Sequence, residues 1–304
     1  MSFEKVNPSH PDKVADRIAG AIVDLAYAKS AMAYGEEPKI AVEVLIGHGN
    51  CHIIIESSIG FDWNKEIEPI VKRIACGCAD DEDTNDISIT GIIVPQDEHL
   101  AENQTEKIKC GDNGIFKGVL TNPEENLLAK TVKELYDKFP TDGKFIYTEA
   151  KNGEDPEFIG CQSNVTLRDF ERAMAETTLP EETELVLNPL GEWTGGTNVD
   201  TGATNRKLGS DMGRAVTGGG IHGKDLSKAD VSVNIVCFLL AQQYRCTVEA
   251  KCAIGDEAVI FRFHRQGVKT LTRDYGYKTV VNWARGYVKE LGGFEKLAEW
   301  GLIR

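Results

Sequence analysis

The chain has no C-x-x-C pair among its eight cysteines, and its six histidines are scattered. That argues against a structural zinc site. No stretch approaches the roughly 18 apolar residues of a membrane span, and Met1 leads straight into polar sequence. The expectation is a cytoplasmic protein with reduced thiols, those of Cys51, Cys76 and Cys237 lying in apolar runs as buried, inert groups. Positive charge is also scarce: 34 Lys and Arg stand against 48 Asp and Glu, a net charge of −14. An acidic surface of this kind argues against nucleic acid or an anionic membrane as a partner.

The scarce cations gather in one place. Residues 199–230, VDTGATNRKLGSDMGRAVTGGGIHGKDLSKAD, hold seven glycines, five basic residues (Arg206, Lys207, Arg214, Lys224, Lys228) and four aspartates (Asp200, Asp211, Asp225, Asp230). Glycine-rich backbone can approach a ligand closely, and its N–H groups can form an anion-binding concavity. Cations interleaved with aspartates point to a phosphate chain carried with a divalent metal. The competing reading is a surface loop of ordinary solvated charges. Gly218–Lys224 fits G-x-x-x-x-G-K, but Asp225 stands where a P-loop needs Ser or Thr. No strand-forming run precedes it, so the P-loop reading is rejected.

At 304 residues, with 41% hydrophobic and 27% charged content, the chain is an ordinary globular protein with a sizeable core. Asn7 or Ser9 caps a first helix, with Val14, Ile18, Ile22 and Leu25 on its apolar face. His10, Asp12 and Lys13 fall at its start, where a plain capping role for Asp12 has even weight. Alternation predicts a hairpin over 39–46 and 52–57, with Glu43 and Glu56 on its strands. A helix around 63–74, an acidic connector at 80–86 and a strand at 87–94 follow. Residues 95–113 read as a long polar loop, of the kind that often serves as a lid. Helices over 124–139, 168–175, 231–244 and 279–291 are expected. Strands are expected over 144–150, 157–166, 184–187, 246–254 and 258–263. Mixed strands and helices with several hairpins favour α+β with mixed or antiparallel sheets. Lys13-Val14-Ala15-Asp16 is echoed by Lys228-Ala229-Asp230, each at a helix start, which hints at duplicated units.

Five segments together resemble the methionine adenosyltransferase (S-adenosylmethionine synthetase) family. His10-Pro11-Asp12-Lys13-Val14-Ala15-Asp16 is similar to its HPDK-x-AD, and Gly111-Asp112-Asn113-Gly114 to its GDQG. Residues 200–207 resemble D-x-G-L-T-G-R-K, residues 218–230 resemble GGGAFSGKDPSKVD, and Cys252-Ala253-Ile254-Gly255 resembles YAIG. The order is the family's and the segments span most of the chain. The resemblance implies three similar units around a pseudo-threefold axis (about 1–115, 116–200 and 201–304, with segment exchange). It also implies a homodimer with active sites between subunits.

The residue roles that follow are those the resemblance implies. His10 lies by the ribose 5′ oxygen, and Asp12 and Asp230 bind Mg²⁺. Lys144 (in Asp142-Gly143-Lys144), Arg206, Lys207 and Lys224 clamp the triphosphate. Asp112, Trp193 and Ile254 belong to the ATP site, with Trp193 in the place of a phenylalanine stacked on adenine. Glu56, Gln96, Asp200 and Lys228 form the methionine pocket, and Glu43 holds K⁺. The chain departs from the pattern in being short, and in Glu192, Val231 and Thr217, where arginine, arginine and histidine are usual.

The implied reaction joins the methionine sulfur to C5′ of ATP, expels tripolyphosphate and hydrolyses it to pyrophosphate and phosphate. A thioether has no proton to lose, so no general base is required. The leaving group needs cations and metal, which matches the residue inventory. The alternative implied by the same motifs is a catalytically inactive relative that binds ATP or S-adenosylmethionine as a regulatory subunit.

Overall fold

One plan, a short strand, a long helix and then a hairpin, recurs along the chain. The computed structural model describes residues 1–33, 37–76, 87–97, 102–103, 107–151 and 153–304. The first occurrence is β1 (Ser2–Val6), α1 (Pro11–Ala33), β2 (Ile40–Gly47) and β3 (Asn50–Ser57), followed by α2 (Glu68–Cys76) and β4 (Ser88–Pro95). The second is β5 (Gly114–Gly118), α3 (Pro123–Lys138), β6 (Gly143–Thr148) and β7 (Glu157–Gln162), followed by α4 (Leu167–Met174) and β8 (Glu184–Leu187). The third is β9 (Thr201–Ala203), a short α5 (Leu208–Met212), α6 (Ala229–Tyr244), β10 (Thr247–Cys252) and β11 (Ala258–His264). It ends in β12 (Leu271–Gly276), α7 (Tyr277–Leu291) and α8 (Phe294–Trp300).

The strands form three four-stranded sheets, ordered β1-β6-β7-β8, β12-β11-β10-β5 and β4-β3-β2-β9. Each leading strand therefore pairs outside its own segment: β1 with the second hairpin, β5 with the third and β9 with the first. All three of these pairings are antiparallel. In two sheets the fourth strand returns parallel to the hairpin after a helix, β4 beside β3 and β8 beside β7. A parallel return requires such a crossover. β12 instead follows β11 directly and runs antiparallel.

Apolar periodicity explains the layers. Val14, Ile18 and Ile22 of α1 are fully buried against Val42, Val44 and Ile46 of β2, within the largest apolar cluster. α6 is buried along most of its length and belongs to the same core. A second cluster joins Leu128, Val132 and Leu135 of α3 to Phe145 and Phe158 beneath the β1-β6-β7-β8 sheet. Lys5 is fully buried there and donates to the carbonyls of Ser210 (3.0 Å) and Trp300 (2.7 Å), tying the C-terminal segment to α5. Burial pushes its ammonium down to about 7.

Several expected boundaries shift for local reasons. The first hairpin turns on His48 and Gly49 alone, both at positive φ (50° and 71°), so its first strand shifts by one residue and its second starts at Asn50, two residues earlier than alternation suggested. The wide turn Trp63–Ile67 precedes α2 rather than belonging to it. The helix expected over 279–291 forms as α7, and after Gly292 and Gly293 a further short helix, α8, follows that the sequence pattern did not mark. The acidic connector and much of the expected lid fall outside the described residues.

β5 reaches α6 only because residue 118 has no side chain: a Cβ there would stand 1.9 Å from the Cys237 carbonyl oxygen. Gly118→Ala is expected to cost about 3 kcal/mol and lower the melting temperature by roughly 5 °C or more. An unchanged melting curve would contradict this packing.

Candidate active site

Two groups of side chains gather along one edge of β2. That edge pairs with β9 through Leu45–Gly47 and, at its other end, with residues 223–225 through an Ala41–Lys224 bridge. The bonds Val42 N–H to Gly223 O (2.7 Å) and Asp225 N–H to Ile40 O (3.0 Å) complete the second pairing. Both glycine-rich halves of the 199–230 segment are thus anchored to a single strand.

The first group surrounds the start of α1. Gly202 lets β9 abut that helix, since a Cβ there would lie 2.0 Å from the Pro11 carbonyl oxygen. Asp12 accepts from Ala203 N–H (2.9 Å) and from Lys207 Nζ (2.6 Å), with Arg206 3.5 Å away. Its carboxylate is therefore turned to the cationic loop and does not cap its own helix. His10 Nδ1 accepts the Asp12 N–H at 3.2 Å. Burial first, and then Lys207, push the His10 imidazolium down to about 4. The ring is neutral near pH 7, and its proton is left on Nε2. Asn7 bonds to Gly143 O and Thr141 O, and Lys144 pairs with Val6, so Asp142-Gly143-Lys144 is laid beside His10.

Asp142 is the residue that sequence reasoning missed as a functional group. It is buried, accepts from Gly196 N–H (3.0 Å) and faces Asp200 and Asp12. Burial pushes its carboxyl up to about 6. Its only sequence signal was its place beside Lys144. Gly195, packed between Asp142 and the Trp193 ring, connects this carboxyl to a recess lined by Asn164, Thr166, Glu192 and Trp193. Trp193 is 37% exposed and donates through Nε1 to Asn188 Oδ1 (3.3 Å).

The second group lies at the far end of the edge. Lys224 Nζ pairs with Asp230 at 2.7 Å, at the start of α6. Lys224 is in register with Ala41, Ala41 with Glu56, and Glu56 with Val94, which brings Glu56 into the same row with Gln96 just beyond. The Gln96 Oε1 is buried without a partner among the described residues. Gly111 N–H bonds to Ser227 O (3.2 Å), and Ile254 N–H bonds to Asn113 Oδ1 (2.8 Å). These bonds hold Asp112, Lys228 and Ile254 near Lys224 and Asp230. Glu43 stands between the groups on the outward face of β2 and accepts from the Thr204 hydroxyl. The two expected Mg²⁺ ligands are thus held in separate ion pairs, not in one cluster.

A buried network joins the halves. Lys13 Nζ lies 2.7 Å from Asp211, 3.1 Å from Asp16 and 3.4 Å from His222, whose Nε2 is 2.9 Å from Asp211. Burial alone would raise the Asp211 carboxyl, but Lys13 and His222 hold it well below the usual carboxylate range. Asp16, Asp211 and His222 are close enough together to ligate a metal. The Lys13 ammonium already stands among them, which makes this cluster a structural tie. Among the expected departures, Val231 is fully buried in α6. Thr217 donates to Ile115 O at 2.9 Å.

Compared with solved structures, the chain superposes on one described as an unusual S-adenosylmethionine synthetase from Campylobacter jejuni. The TM-score is 0.77 at 20% identity, covering 99% of this chain and 94% of that one. The chain has the S-adenosylmethionine synthetase fold. Its sequence resembles S-adenosylmethionine synthase 1 of Rhodopseudomonas palustris (28% identical, over 84% of this chain and 78% of that protein). It also resembles the S-adenosylmethionine synthase of Novosphingobium aromaticivorans (28%, over 84% and 77%). No family model matches. No helix among the described residues is long and apolar enough to cross a membrane.

The raised Asp142 carboxyl has a signed consequence. A folded-state value above the ordinary 3.8 makes folding bind a proton, so its stability contribution is complete below that value and is lost as pH rises to about 6. Asp142→Asn, which keeps the acceptor for Gly196, is expected to raise the melting temperature at pH 7.5 and to leave it nearly unchanged at pH 4. Equal shifts at both values would contradict the assignment.

Proposed function

We propose that the chain is a methionine adenosyltransferase, joining the sulfur of L-methionine to C5′ of ATP and hydrolysing the expelled tripolyphosphate to pyrophosphate and phosphate. The observation that carries this reading is the pairing of Asp12 with Lys207 and of Asp230 with Lys224. Each pair holds one hard oxygen donor suited to Mg²⁺ and one cation suited to phosphate. Binding of a magnesium polyphosphate exchanges the partners within each pair, and no charge is left alone.

The chain's own residues divide the work. Lys144, Arg206, Lys207 and Lys224 neutralise the departing triphosphate. His10, neutral and carrying its proton on Nε2, donates a hydrogen bond to the 5′ oxygen as the C–O bond breaks. Trp193, Asp112 and Ile254 hold the nucleoside. Glu56, Gln96, Asp200 and Lys228 receive methionine, and the Asp200 carboxylate faces the sulfonium that forms. Asp12 and Asp230 would hold Mg²⁺, which would supply Lewis-acid stabilisation of phosphate oxygens. The Glu43 carboxylate and Thr204 hydroxyl are oxygen donors that suit K⁺.

The separation of the two groups supports a homodimer. The two groups are anchored at different points of one β2 edge, the first through Leu45–Gly47 and the second through Ala41. Between them the outward sheet face exposes Leu45 (55%), Ile54 (42%) and Ile92 (52%) beside Glu43 and Glu56. An apolar face of this kind calls for a partner, and a two-fold contact sets one copy's first group opposite the other's second. We also read the three strand–helix–hairpin segments, divided near residues 115 and 200, as three interleaved units.

Incubation of the protein with ATP, L-methionine, Mg²⁺ and K⁺ is expected to yield S-adenosylmethionine with pyrophosphate and phosphate, read by mass spectrometry. Formation of ADP would identify a phosphotransferase instead, and binding without turnover a regulatory relative. Lys224→Ala and Asp230→Asn should each lower turnover at least about a hundredfold with folding intact. Near-normal rates at saturating ATP would sink the assignment.

A further inference from the structure

The recess beside Asp142 carries polar groups that the proposed reaction leaves without a role. Its aromatic wall, Trp193, is held twice: the carbonyl accepts the Asn164 N–H at 2.9 Å, and Nε1 donates to Asn188 Oδ1. Glu192 precedes the indole in sequence, and Asn164, at φ +54°, is bonded to its backbone, so a carboxylate and an amide line the same recess. Both residues are exposed, and among the described residues neither side chain is engaged in a hydrogen bond or ion pair. From this recess the groups run through Asp142, beside the Gly195 backbone, to His10, Lys144 and Lys207. An aromatic plane, a buried carboxyl and a set of cations follow one another as base, sugar and phosphates do in a nucleotide. All of them belong to one copy of the chain, so the order holds whichever copy completes the site.

We propose that Glu192 is a specificity-determining residue that opens the nucleotide site to guanine, so that GTP serves as a substrate beside ATP. This rests on the proposed methionine adenosyltransferase activity and names the bases that activity takes. Guanine presents adjacent N–H donors at N1 and N2, which a carboxylate accepts as a pair, and a carbonyl oxygen to which the Asn164 amide donates. Adenine offers the same carboxylate one donor, its 6-amino group, next to the N1 lone pair, which repels it. Stacking on the indole does not choose between them, because every base has a π-face. The edge of the ring decides. The step is otherwise that of ATP: the S–C5′ bond forms, the C5′–O bond breaks and tripolyphosphate leaves with the electron pair, giving a guanosyl sulfonium.

The test supplies ATP, GTP or ITP as the sole nucleotide with L-methionine, Mg²⁺ and K⁺, and reads kcat/KM for the sulfonium product by mass spectrometry. The three share one triphosphate, so their ratios cancel any effect on the phosphate clamp. Wild type is expected to use GTP within about tenfold of ATP, with ITP, which lacks the 2-amino donor, below GTP. Glu192→Arg sets donors against guanine's donors and should lower the GTP/ATP ratio at least about tenfold, while Glu192→Gln, which keeps one acceptor, should lower it less. A wild-type preference for ATP above about tenfold, or a ratio that Glu192→Arg moves less than about threefold, would overturn the proposal. If wild type makes no sulfonium from any of the three, the functional reading fails. Calorimetric competition between Mg·GTP and Mg·ATP, in wild type and Glu192→Arg, then decides the base preference against the same thresholds.

Discussion

The Lys13 ammonium, enclosed by Asp16, Asp211 and His222, is the contact on which the geometry of the site depends. All four groups are buried, so none of the charges is compensated by water. Removing one partner from such a set typically costs about 3–5 kcal/mol, because the remainder is left charged in a poor solvent. α1, which carries Lys13 and Asp16, also presents His10 and Asp12 at its start. α5 supplies Asp211, and the loop ahead of Lys224 supplies His222. Three segments far apart in sequence are thereby fixed against one another just beneath the candidate site.

The ion pairs above this network work by a different rule. Asp12–Lys207 and Asp230–Lys224 are pairs that a polyvalent anion and its metal can open without stranding a charge. Both carboxylates are buried and the lysines are partly exposed, so a pair opens at low cost only when each charge gains a new partner. A rigid, fully paired layer beneath a layer of exchangeable pairs lets a site neutralise a large charge without rearranging the backbone. Pairing β1, β5 and β9 with hairpins of other segments adds to that rigidity, since each segment is held by its neighbour.

Much of this was legible in the sequence. The long helices followed from apolar spacing such as Val14, Ile18 and Ile22, and the first hairpin from its alternation around Gly47–Asn50. The concentration of scarce cations with aspartates after Val199 pointed to the candidate site. The strands β1, β5, β9 and β12 did not show. The three exchanged ones are short, three to five residues, and their partners are remote, so no local pattern marks them. Asp142 was hidden for a similar reason: its neighbours in space come from Gly196, Asp200 and Asp12, none adjacent in sequence. Lys13 and Asp16 were seen as helix-start residues. Their partnership with Asp211 and His222 depends on how α5 packs, which composition does not reveal.

The central claim is that the carboxylate–lysine pairs open only when metal and polyphosphate arrive together. Calorimetric titration with inorganic tripolyphosphate, with and without Mg²⁺, tests it most directly. Either species alone leaves one member of each pair unpartnered, so the account predicts that saturating Mg²⁺ tightens tripolyphosphate binding at least about tenfold, a gain of roughly 1.4 kcal/mol. Equal affinity in the presence of a chelator would contradict it.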